Sequence, residues 1–133
     1  MISLLNTNVV IRFLIADKNP KYRNLLGFFE SLEKGDIQVE LKLIVLFRIV
    51  CVLKSFYKVP INQIAIELSK LLQYKGIVIK EKIVVLRTLE LFESKNLEIV
   101  DCYLIASMEK DDDVILYSYD RNFDKFEINR IEP

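Results

Sequence analysis

The first thirteen residues leave this chain little freedom in how it folds. Met1 to Leu5 is apolar apart from Ser3, Asn6-Thr7-Asn8 is polar, and Val9-Val10-Ile11-Arg12-Phe13 resumes at once as an apolar segment of helical character. A short buried strand that ends in a polar turn and passes straight into a helix is a building unit of open α/β sheets. In such sheets the carboxyl ends of the strands carry the functional groups. The Asn6 step is therefore the first place to look for chemistry.

With 133 residues the chain is expected to form a single domain over 1–133, and 52% hydrophobic residues give it a generous core. Three glycines and three prolines predict short loops and no linker. Nineteen Lys and Arg balance nineteen Asp and Glu, so overall charge lends no support to nucleic-acid binding, although a local basic face is compatible with it. There is no His, which excludes His-based catalysis and His-ligated zinc. Cys51 and Cys102 lie in apolar helical patterns and are expected to be buried thiols rather than a disulfide. No stretch has the parts of a signal peptide, and the most apolar run, Leu43 to Leu53, is too short to span a bilayer and carries Arg48. The expected setting is soluble and cytoplasmic.

Along the chain, Tyr22, Leu25, Leu26, Phe29 and Leu32 mark an amphipathic helix after Asn19-Pro20 that ends at Gly35-Asp36. Residues 37–39 suit a short strand, and an apolar helix follows over about 43 to 57. Pro60 suits the first turn of a helix that buries Ile61, Ile64, Ala65, Leu68, Leu71 and Leu72 and stops at Gly76. Ile77-Val78-Ile79 is β-branched and compact, helices are predicted over about 81 to 95 and 99 to 110, and Val114 to Tyr117 reads as a second strand. An edge strand over Glu127 to Ile131 completes an α/β pattern with a short, mostly parallel sheet.

Four places are candidates for chemistry, each with a structural alternative. Asn6, followed by Thr7 and Asn8, either caps the next helix or contributes to a site. Arg48, alone in an apolar helix, must either snorkel to solvent or meet carboxylates from other elements, because a buried unpaired charge is very costly. Asp101, near a helix start, suits the helix dipole as well as a site. Ser118-Tyr119-Asp120-Arg121-Asn122-Phe123, after the strand 114–117, is either an Asx-type turn or a ligand-binding strand end.

Taken in order, these four places resemble the motifs of PIN domains, the fold of VapC-type toxin ribonucleases, over nearly the whole chain. Asn6-Thr7-Asn8 is similar to the family's Asp-Thr-Asn step, and Val45 to Leu53 is similar to its Glu-bearing helix, with Arg48 in place of the Glu. Ser55 to Pro60 continues that likeness. Val100-Asp101-Cys102 resembles the third-acid motif, and Ser118 to Phe123 resembles the Thr-x-Asp-x-x-Phe motif, with Ser118 and Asp120 retained and Asn122 where a further Asp is common.

The resemblance implies a three-layer α/β/α fold and an Mg²⁺- or Mn²⁺-dependent endoribonuclease of a toxin–antitoxin system. It also implies a homodimer, a cognate antitoxin and an RNA substrate, with no membrane partner. Asp101 and Asp120 are then the metal ligands, Asn6 and Arg48 fill the other two acid positions, and Thr7, Asn8, Ser118 and Asn122 position the substrate. Two of four acids are replaced, so these positions sum to a single negative charge where the family carries four. Divalent ions need anionic oxygens, so weak or absent metal binding and impaired hydrolysis are expected, with a non-catalytic RNA- or protein-binding pseudo-nuclease as the alternative. Related antitoxins place an Arg into the acidic pocket, and Arg48 is expected to act as a built-in version that bridges Asp101 and Asp120.

Overall fold

The computed structural model describes residues 1–133 and divides into two compact units, Met1–Lys82 and Ile83–Pro133. The class is α/β, with six α-helices and only parallel strand pairs. The strands form two two-stranded sheets, one within each unit, where the sequence led us to expect one.

In the first unit, α1 (Thr7–Leu14) starts where Asn6 turns extended, and the Asn6 side chain accepts the Thr7 N–H at 2.7 Å. The predicted helix after Pro20 is split. Asn19 caps a 3₁₀ turn at Pro20–Tyr22, and α2 (Leu25–Lys34) follows. The split arises because the Asn19 side chain and carbonyl take the Lys21 and Tyr22 N–H groups and tighten the chain before a full α-turn forms. Gly35 ends α2 in the left-handed region at φ 83°, and the Gly35 and Asp36 N–H groups satisfy the carbonyls of Leu32 and Ser31. α1 packs against α2, where Phe13 stacks on Phe29 at 3.9 Å, and against α3 (Leu43–Ser55).

The α3 sequence is apolar on nearly every face, yet only the stripe Leu46, Ile49, Val50 and Leu53 is fully buried. Ile44, Arg48 and Cys51 are exposed, which corrects the expectation of a helix buried all round with a buried thiol at Cys51. Four positions at helical spacing suffice for the contacts that α3 makes with α1 and α4 (Ile61–Leu71). α4 buries Ile64, Ala65, Leu68 and Leu71, with Pro60 just outside as its N-cap.

The anticipated first strand is reduced to one parallel bridge from Leu4 to Glu40, with Leu5 N–H donating to Glu40 O at 3.0 Å and Glu40 N–H to Ser3 O at 2.7 Å. Its pairing is short because its partner β1 (Val39–Glu40) has two residues, and β1 pairs on its other edge with β2 (Ile77–Val78). Gly76 leads into β2. Its N–H donates to Leu32 O and its carbonyl accepts from Val39 N–H, both at 2.7 Å. A Cβ there would collide with the carbonyl oxygens of Ile37 and Leu32, so glycine is required for close approach. α4 itself has already stopped at Leu71, so Gly76 is a docking residue and not the helix stop anticipated.

The second unit holds α5 (Lys82–Ser94) from Ile83 on, α6 (Ile99–Met108), β3 (Ile115–Tyr117) and β4 (Asn129–Ile131). Arg87 joins the end of α6 to α5 through a forked pair with Glu109 at 2.9 and 3.1 Å. Buried Thr88 satisfies its hydroxyl on Val84 O. β3 runs parallel to β4 in the register Ile115–Asn129, Leu116–Arg130, Tyr117–Ile131, with the crossover made by a 3₁₀ turn over Arg121–Lys125. β3 is not the buried strand expected, for Ile115 and Tyr117 are exposed. No helix is long and apolar enough to cross a membrane.

Two glycines should respond in opposite directions. Gly76→Ala is expected to lower stability by about 1–3 kcal/mol, because the added methyl overpacks backbone. Gly27→Ala, inside α2 with nothing within 4 Å of the new carbon, should raise it by roughly 0.5–1 kcal/mol. Urea denaturation of the two variants checks both, and a neutral Gly76→Ala would remove the close-approach account.

Candidate functional site

The family-like positions fall two in each unit, Asn6 and Arg48 in the first, Asp101 and Asp120 in the second. In the first unit, Asn6 Oδ1 is engaged as the cap of α1, so the structural role read from its sequence context is present. An Asp caps as well as an Asn, so the fold does not by itself demand an amide here. Of the two fates open to Arg48, the guanidinium takes solvent. It is exposed and carries no ion pair, so the expectation of a guanidinium paired to carboxylates is not met.

Asn6, Thr7, Asn8 and Arg48 line one open cleft of about 390 Å³, which Arg12 and Tyr57 complete. Neither of these last two was singled out from the sequence. Arg12 follows Asn8 by one helical turn, which is the signal that places it on the same face. It donates to Asp17 at 3.0 Å and lies 5.4 Å over the Tyr22 ring. Its pKa is raised, first by Tyr22, with Tyr57 and Asp17 adding to the effect.

In the second unit, Asp120 closes two nested turns. Its N–H donates to Ser118 Oγ at 3.0 Å, and its Oδ1 accepts the Asn122 N–H at 2.9 Å. Ser118 and Asn122 thus act on Asp120 through backbone and hydroxyl contacts. Arg130, which the sequence did not flag, holds this loop. Its Nη1 donates to Ser118 O at 2.9 Å while Nε and Nη2 grip Asp124 at 2.7 and 3.1 Å. That fork holds Asp124 below the usual carboxylate range.

Asp101 sits in the first turn of α6, where the helix dipole favours negative charge. Its carboxyl is nevertheless raised above the usual range, first by desolvation, then by the charge of Asp120 and that of Glu98. The charge of Asp120 therefore bears on the Asp101 carboxyl. Next to it, burial pushes the Cys102 thiol up to about 11, with Asp101 adding to the shift, so this thiol is inert at neutral pH.

These features define an α/β protein with a polar, cationic cleft at the head of its first helix and an interacting acid pair in its second half. The chain belongs to the PIN domain family, whose model matches residues 3–129. PIN domains are nuclease-type domains that generally depend on a divalent metal. No curated protein matches the chain.

The donor set here fits such a metal poorly. No group of three or more His, Cys, Asp or Glu side chains is gathered. In the second unit one Asp120 oxygen already accepts from a turn; within the first unit the Asn6 amide oxygen accepts the cap bond and Arg48 brings positive charge. A hard divalent cation takes six or more oxygens and relies on anionic ones for affinity.

The raised Asp101 has a sign that can be checked. Its folded carboxyl binds protons more readily than the unfolded one, so its contribution to stability is full at low pH and is lost as pH rises through its folded titration. Asp120→Asn should lower the Asp101 pKa but leave it above the ordinary value, since desolvation is the larger cause. Carboxyl-carbon NMR titration reads this directly, and an unmoved Asp101 would mean that the pair does not interact.

Proposed function

We propose that this chain is a VapC-like ribonuclease-type PIN domain, of the kind that serves as toxin in a toxin–antitoxin system, with metal-dependent RNA cleavage impaired or absent. The retained Asp101–Asp120 pair carries the proposal. Asp120 raises Asp101 through its charge, as expected of two acids kept within reach of each other, and the sequence around each resembles an acid motif of the family. The Asn-Thr-Asn step at the head of α1 and the Ser118–Asp120 turn support the same subtype by their order and type.

The chain's own groups limit what it does with RNA. Ionising both aspartates is opposed by their mutual repulsion. Asp101, whose carboxyl is raised by desolvation and by the charge of Asp120, is suited to hold a proton, and Asp120 is held in place by its turn. A homodimer and a small antitoxin partner belong to this proposal by family likeness alone.

The unaltered protein is compared with Asn6→Asp/Arg48→Glu by Mn²⁺ calorimetry and by cleavage of a mixed RNA pool. Binding and cleavage are expected only in the double variant, with metal affinity at least tenfold above that of the unaltered protein. Absence of binding in both would overturn the nuclease-derived site, and equal binding in both would show that the two aspartates suffice. Both side chains are exposed, and an Asp at position 6 still caps α1, so the variant is expected to fold.

A further inference from the structure

Asp120 makes only local contacts of its own. Its N–H donates to Ser118 Oγ at 3.0 Å and its Oδ1 accepts the Asn122 N–H at 2.9 Å, both on the exposed surface. A turn closed by contacts this local has little to hold it against opening. Its restraint comes from β4. Before Asp120, Ser118 gives its N–H to Ile131 O at 3.1 Å and accepts Arg130 Nη1 on its carbonyl at 2.9 Å. After Asp120, inside the 3₁₀ turn that Asp120 caps, Asp124 takes Arg130 Nε and Nη2 on its two carboxylate oxygens at 2.7 and 3.1 Å.

One guanidinium therefore grips the chain on both sides of Asp120, and all three of its nitrogens are engaged in doing so. The Arg130 side chain is 11% exposed against 53% for Asp124, so the charge is largely covered on the arginine side. A covered guanidinium stripped of its acceptors is costly, which keeps the contact closed. The geometry also demands arginine. A planar fork meets two carboxylate oxygens and a carbonyl together, whereas a lysine ammonium is a single point of charge.

We propose that Arg130 is a positioning residue for Asp120: by holding Ser118 and Asp124 together it sets where the Asp120 carboxylate stands. The place of that carboxylate matters because its charge bears on Asp101, and such an interaction weakens with distance. The inference rests on the ribonuclease-type reading for what the held acid is for, and on these contacts alone for the holding. Glu132 lies 3.5 Å from Nη1, a second carboxylate to which the guanidinium turns when Asp124 is lost.

The test is backbone amide exchange with solvent, read by NMR on the full chain in EDTA. In Arg130→Lys, exchange at the Asp120 and Asn122 amides is expected to rise roughly tenfold, the scale of one charged hydrogen-bond contact. The Ser118 N–H, held by Ile131 O, and the amides of α6 should keep their protection. Asp124→Asn should act in the same direction, and the two changes together should go no further than Arg130→Lys alone, because both break one contact. Unchanged exchange at Asp120 and Asn122 would overturn the proposal. Equal loosening of Ser118 and α6 would overturn it too, since Arg130 would then support the fold at large. Asp124 is half exposed, so its variant decides the matter if Arg130→Lys does not fold.

A second readout separates the clamp from the ribonuclease reading. With Asn6→Asp/Arg48→Glu as background, adding Arg130→Lys should lower kcat for RNA cleavage roughly ten- to a hundredfold, the scale of a misplaced reacting group. Undiminished cleavage would overturn the positioning role even with faster exchange. A background that cleaves nothing removes the ribonuclease reading, and amide exchange alone then decides whether Arg130 holds the turn.

Discussion

Much of the first unit depends on backbone meeting backbone at Gly76. One residue without a side chain takes a hydrogen bond to the end of α2 through its N–H and gives its carbonyl to the start of β1. That contact fixes how far β2 slides along β1, and β1 in turn carries the single bridge that positions Leu4, Leu5 and hence Asn6. Sheet pairing this short has few hydrogen bonds to set its register, so the register rests on the steric fit at one end. A larger residue would push α2 and the sheet apart together.

How legible each part was from the sequence follows from how local its cause is. α4 was readable because its stripe of Ile64, Ala65, Leu68 and Leu71 and its Pro60 start lie within one segment. Gly35 was readable as a helix end because the left-handed conformation it adopts is a property of the residue itself. The exposure of Arg48 and Cys51 was not, because α3 is apolar beyond its contact stripe and composition cannot say which stripe a neighbour covers. Strand lengths and the division into two sheets were equally hidden, since pairing is decided between segments far apart in the chain.

The site shows the same division. The motif order was enough to place the chain in its family, and the family model spans 3–129. Arg130 escaped notice because its role arises only when β4 lies beside β3 and brings it to Ser118 and Asp124, twelve and six residues away. Local electrostatics then separate two kinds of chemistry. The second unit sets the charge of Asp120 against Asp101, while the cleft of the first unit offers donors and positive charge with no acid among its lining residues. A balanced total of nineteen against nineteen conceals both.

The two cysteines differ in a way that equips the molecule with its own reporter. Cys102 is buried with its thiol shifted to about 11, whereas Cys51 stands exposed on α3, three residues beyond Arg48 and one turn along the same face. A maleimide dye therefore attaches at one place without any engineering, beside the guanidinium whose surroundings matter most.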